Sequence, residues 1–127
     1  MAKINVVDRN NYILEATIFD GNQLCDSICY VTKEVLKTFS DRCNKKDTVF
    51  GCLSKDVEII DYSHKIINCT TIGNYTSIII NVLNTPKGEI LKWLIDNNVP
   101  LKTNMFLLID NTNNEIKEIT QVNIDKQ

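Results

Sequence analysis

Apolar residues recur along this chain mostly at every second position, the period of a half-buried strand, and at helical period only twice. From Tyr12 to Phe19 the alternate sets are Tyr12, Leu14, Ala16 and Ile18 on one side and Ile13, Glu15, Thr17 and Phe19 on the other. The first set is the more apolar and is predicted to face the core. Lys3 to Val7 reads as an opening strand that turns through Asp8-Arg9-Asn10-Asn11, and Asp20-Gly21-Asn22 is a second turn. Leu24 to Tyr30 follows neither period. Thr48 to Leu53 is a strand interrupted by Gly51, where a glycine marks a bulge or a close approach of another group. Val57 to Tyr62 and Lys65 to Thr70 are two short apolar stretches with Ser63-His64 between them. After the turn at Gly73-Asn74, the β-branched run from Thr76 to Leu83 is predicted to be buried on both faces, and Met105 to Ile109 to form a short buried strand. Asn111 to Asn114 makes a hairpin turn into Glu115 to Asp125. There the step from Ile116 to Ile119 breaks the alternation that Val122 and Ile124 resume, which predicts a bulge.

The two helical stretches carry their own start signals. Thr32 is an N-cap before Glu34, Val35, Leu36 and Phe39. Thr85 caps a second helix with Pro86 at its first position and Glu89 at the positive end of its dipole. Ile90, Leu91, Leu94 and Ile95 give that helix one apolar stripe, Asn97-Asn98 can close it in a left-handed turn, and Pro100 holds the exit extended. Seven or so strands with two helices, not in alternation, predict an α+β domain. It is mostly antiparallel β, a small barrel or strongly curved sheet, with about two helices packed outside, and it occupies residues 1–127 as a single unit.

Composition narrows the function classes. Net charge is −2, and the fourteen cationic residues are nearly all lysine and dispersed, so binding to nucleic acid through phosphate neutralisation is not favoured. No apolar run approaches the roughly 20 residues needed to span a bilayer, and no signal-peptide core opens the chain. A cytoplasmic protein without a membrane role is expected. Cys25, Cys29, Cys43, Cys52 and Cys69 are expected to be reduced and partly buried, since a lone loose C-x3-C pair does not supply a zinc site. No cofactor or metal is expected.

The words Thr85-Pro86-x-Gly88, then Ile90-Leu91-x-x-Leu94-Ile95, then a turn and Val99-x-Leu101 leading into a strand resemble the phage prohead maturation proteases. The likeness runs in order from about Ile13 to Thr120, and Tyr12-Ile13-Leu14-Glu15-Ala16 fits that family's opening strand. It implies a fold shared with the herpesvirus assembly proteases and a serine–histidine mechanism. The family's serine lies in a G-V-S-S-R-G motif, where this chain has Lys102, Thr103, Asn104, Met105, Phe106 and Leu107. Its histidine lies in G-E-L-x-H-P, where this chain has Gly51-Cys52-Leu53-Ser54-Lys55-Asp56. The only histidine, His64, sits in Tyr62-Ser63-His64-Lys65-Ile66, which resembles the family's I-S-H-x-I segment.

A frame retained with both catalytic motifs replaced, at Lys55, Asn104 and Met105, implies a phage-encoded relative that binds rather than cuts. Its role would be in capsid assembly or in holding a host factor or small ligand, in the host cytoplasm or with the virion. Ser54, Lys55, His64, Lys102 and Asn104 would line the remaining cleft. Two alternatives stand beside this. One is a serine or cysteine protease with a relocated nucleophile, Cys52 or Ser54 activated by His64, with Thr103 a weaker candidate. The other is a sponge that sequesters a nucleotide immune signal, which would need several cationic or aromatic groups converging in one cleft. A homodimer is the base-rate expectation for assembly.

Overall fold

The computed structural model describes residues 3–25, 27–45, 49–53 and 62–127. Ser54, Lys55, Asp56 and the apolar stretch expected from Val57 therefore lie outside the described residues. The strands are β1 (Ile4–Asp8), β2 (Ile13–Asp20), β3 (Gln23–Leu24), β4 (Tyr30–Val31), β5 (Val49–Cys52), β6 (Tyr62–Ile72), β7 (Tyr75–Val82), β8 (Leu101–Asp110) and β9 (Glu115–Lys126). The helices are α1 (Lys33–Cys43) and α2 (Pro86–Asp96). The strands form one sheet in the order β5-β6-β7-β2-β3-β4-β9-β8, with β1 pairing β2 beside this path. All pairs are antiparallel except β4 with β9.

The sheet curls strongly, so that the end of β5 comes back to β9. Leu53 at the end of β5 bridges Ile124 of β9, and Lys3 before β1 bridges Lys102 of β8. These two isolated contacts close a barrel-like wall around Leu14, Ile18, Phe19, Ile66, Ile78, Ile80, Ile116 and Ile124, all at most 2% exposed. The expected curved, mostly antiparallel sheet with two helices is present. Strand dominates more than an α+β class implies: among the described residues only two helices of eleven residues accompany one continuous sheet, and their buried residues Phe39, Cys43, Leu91 and Ile95 join its core instead of packing on a separate outer layer.

Bulges explain where alternation fails. In β2, Thr17 pairs Ser77 and Phe19 pairs Thr76, so Ile18 is the extra residue, and both Ile18 and Phe19 bury. In β9, Leu108 pairs Glu118 and Ile109 pairs Ile116, which leaves Lys117 unopposed at the step read from the sequence as a bulge. In β6, Gly51 pairs His64 and Cys52 pairs Tyr62, so Ser63 is the extra residue. Ser63-His64 thus lies within β6, with Ser63 a bulge one residue from its start.

Two expectations of burial are corrected. Strand β7 alternates, with Thr76, Ile78, Ile80 and Val82 buried and Ser77, Ile79 and Asn81 half-buried, because the outer face is covered only in part. The apolar run of β8 is not buried either; it lies on the last strand of the sheet path, and Leu108 is 53% exposed. On α2 the stripe is carried by Leu91, Leu94 and Ile95, while Ile90 faces solvent.

The start of α2 is fixed as its sequence suggests. Thr85 Oγ1 accepts from Gly88 N–H at 3.0 Å and donates to Tyr62 O at 2.5 Å, tying the helix to the first residue of β6. Thr85→Ala should lower stability by about 1–2 kcal/mol, one cap plus one tertiary hydrogen bond, read as a shift in the urea midpoint without a change in slope.

Candidate functional site

Four strands carry the residues the sequence singled out, and they lie side by side as β6, β5, β9 and β8. His64 of β6 pairs Gly51 of β5; Leu53 of β5 meets Ile124 of β9; Asn104 of β8 pairs Asn123 of β9. The regions are neighbours, but their side chains do not share a face. His64 pairs Val82, and two residues further Ile66 pairs Ile80, all core positions, so the imidazole points inward and is fully buried. Thr103 pairs Ile124 in the core, and the register is regular from Leu101 to Phe106. The next pair, Asn104 with Asn123, therefore points the other way. Lys102, Asn104 and Phe106 share that outer face with Gln121, Asn123 and Asp125, whereas Met105 packs inward against the core. His64 accordingly leaves the cleft set expected from sequence. The bulge at Ser63 sets which way it faces.

What His64 does is structural and legible in its bonds. Its Nε2–H donates to Val122 O of β9 at 2.8 Å, and its Nδ1 accepts from Ser63 Oγ–H at 2.6 Å. A carbonyl oxygen can only accept, which fixes the neutral Nε2–H tautomer. Strand β5 lies between β6 and β9, so the ring must cross it. It does so at Gly51, where an added Cβ would stand 2.0 Å from Val122 O and 2.2 Å from His64 Nε2. The glycine read as a close approach is the gap through which the imidazole reaches β9. Burial pushes the His64 pKa down from 6.5 to about 4, against the opposing pull of its bond to Val122 O.

A second side-chain bond joins β9 to β5. Asn123, fully buried, accepts Cys52 N–H of β5 at 2.9 Å and Gln121 Nε2–H at 2.6 Å through Oδ1. Between β5 and β9 the backbone ladder is reduced to one bridge. His64 and Asn123 satisfy groups that a continuous ladder would have paired.

The fold resembles that of the bacteriophage T4 capsid assembly protease gp21. That match has a TM-score of 0.63 at 16% sequence identity, over 91% of this chain and 82% of the other. At this identity the likeness concerns the fold alone. No protein-family model and no curated protein matches the chain.

The Ser63–His64 contact, at 2.6 Å, has the length of a catalytic hydrogen bond, but it lies inside the core. Ser63 is fully buried, and a nucleophile must reach substrate. The other ring nitrogen is spent on Val122 O, so His64 offers no free site to Cys52, which is itself fully buried. The cysteines are free thiols, and two of them are in contact. Their mutual hydrogen bond raises the Cys43 pKa, burial adding to it, and lowers that of Cys69 to about 7, with Ser40 Oγ donating to Cys69 Sγ at 3.2 Å. Both lie in the core, Cys43 at the end of α1 and Cys69 on β6.

A groove of about 560 Å3 lies between α1 and the turns at Gly21-Asn22 and Gly73-Asn74, lined among others by Lys33, Lys37, Ser40 and Thr71. It gathers two cations and no aromatic ring, which meets the sign for a nucleotide sponge only in part. Nothing in the sequence had marked it, because its lining comes from three segments that only the fold brings together.

Proposed function

We propose that this protein is a non-catalytic binding protein of phage origin built on a capsid-protease-like fold. One observation carries the reading: the chain's only histidine is buried, neutral, and engaged at both ring nitrogens by Ser63 and the β9 backbone. A general base must be within reach of the proton it removes and free to take it, and His64 is neither. Asn104 and Met105, at the strand positions where the family resemblance would place the serine, supply an amide and a thioether.

Binding is assigned to the outer face around Lys102 and Asn104, beside the end of β5, from which the chain continues into Ser54 and Lys55. Its occupant is a protein partner, in capsid assembly or from the host. The test is cleavage. Purified protein incubated with an active-site-directed fluorophosphonate and with an unfolded polypeptide is expected to label at no hydroxyl and to cut nothing. Cleavage that disappears in a His64→Ala variant of unchanged melting temperature would sink the reading.

A further inference from the structure

We propose that Cys43 and Cys69 form a peroxide-responsive dithiol, which oxidation converts to a disulfide that latches the end of α1 to β6. One face of the helix is built around Cys69. Ser40, Cys43 and Asn44 follow one another at i, i+3 and i+4, the spacing that puts side chains on the same side of a helix. Ser40 Oγ–H donates to Cys69 Sγ at 3.2 Å. Asn44 clasps the backbone of the same residue: its Oδ1 accepts Cys69 N–H at 3.0 Å and its Nδ2–H donates to Cys69 O at 3.3 Å. Cys43 stands between these two anchors, and its thiol is hydrogen-bonded to that of Cys69. The sulfurs therefore adjoin with the backbone on both sides already tied in place.

The same bonds separate the roles of the two sulfurs. Cys69 Sγ accepts from the Cys43 thiol and from Ser40 Oγ–H, and both bonds favour its thiolate against the opposing effect of burial. Cys43 is the donor and keeps its proton. Arg42 is the charged group that acts on the pair, pulling weakly on Cys43, while across β7 Cys69 faces the apolar Ile78. Cys69 is thus the nucleophile and Cys43 the thiol that resolves it. Both are buried, so the oxidant must be small. Ser40 lines the groove beside α1 and brings solvent to within one hydrogen bond of Cys69 Sγ, a path suited to hydrogen peroxide, which is little larger than water. The Cys69 thiolate attacks one peroxide oxygen, the O–O bond breaks, and hydroxide leaves and takes up a proton. Cys43 sulfur then attacks the sulfenic acid: the S–S bond forms, the S–O bond breaks, and the departing hydroxide leaves as water with the Cys43 proton. Two thiols lose two electrons, and one peroxide becomes two waters.

The new bond closes the chain from Cys43 to Cys69, the segment that contains β5 and Gly51, and restrains it in the unfolded state. The inference rests on the thiol pair and holds whether or not Lys102 and Asn104 receive a partner. In the experiment, folded protein is treated with hydrogen peroxide, the remaining thiols are blocked, and the proteolytic digest is read by mass spectrometry. A peptide pair joined at Cys43 and Cys69 is expected. With it the melting temperature should rise by about 10 °C, a gain that dithiothreitol reverses and that Cys43→Ala lacks. Cys43→Ala should instead stop at a sulfenic acid on Cys69, captured by dimedone, whereas Cys69→Ala should leave Cys43 unlabelled. If either variant fails to fold, the linked peptide and the melting shift of the native chain decide. A native chain in which Cys43 and Cys69 stay reduced while Cys25 and Cys29 are oxidised overturns the proposal. So does a link that forms only in urea, or a dimedone adduct on Cys43 in the Cys69→Ala variant.

Discussion

Gly51→Ala is expected to cost about 3 kcal/mol or more, a large fraction of the total stability of a domain this size. The added methyl would lie 2.0 Å from Val122 O and 2.2 Å from His64 Nε2. Neither neighbour is a flexible side-chain end: one is backbone of β9 and the other is a ring held at both nitrogens. Relieving the clash means moving β5 away from β9 or withdrawing the imidazole, and both break the bond to Val122 O. Gly21→Ala is the control. Gly21 has φ +64° but nothing within 4 Å of an added Cβ, so only backbone strain of about 1 kcal/mol is expected. Urea midpoints of the two variants should differ clearly. Equal shifts would mean that His64 does not cross β5 as described.

The second large effect is the pH dependence that His64 imposes. Its folded pKa of about 4 lies below the ordinary value of 6.5, so between these values the unfolded chain binds a proton that the native chain refuses. Stability contributed by the neutral ring is complete above about pH 6.5 and is lost as pH falls towards 4, a change of about 3 kcal/mol. Below pH 4 both states are protonated at this residue and the loss levels off. Asp8 and Asp110 are held below the usual carboxylate range, chiefly by hydrogen bonds from Asn11 and Thr112, so their contributions fade at lower pH and do not blur this window. In the His64→Ala variant, stability at pH 7 should fall by about 3 kcal/mol, since Val122 O and Ser63 Oγ lose their partner and a cavity opens. The slope between pH 6.5 and 4 should flatten at the same time. A variant that keeps the native slope would show that another group carries it.

The local rules of the chain were legible in its sequence, and the long-range ones were not. Thr32, Thr85, Pro86 and Asn98 mark their helix ends as capping chemistry says they should, because each acts within a few residues of itself. The core positions of β9 were readable, bulge included, since a lapse in alternation is visible on one strand. Gly51 could be read as a point of close approach, but not that the approaching group is His64, thirteen positions later and paired through the β5–β6 register. Ser63-His64 stood out in the sequence only as two adjacent polar residues that interrupt the apolar pattern. A bulge that turns both inward, where they satisfy each other and β9, leaves the same trace in sequence. The exposure of β8 was hidden for a related reason. MFLLI reads as core unless one knows that the sheet path ends there.

The imidazole that reaches across β5 to fasten β6 to β9 also narrows what could be made of this scaffold. A ring that gives one nitrogen to another strand and the other to its own neighbour Ser63 is a fixture, and withdrawing it would unfasten that part of the wall. Any redesign of this region would therefore have to begin with a new partner for the Val122 carbonyl.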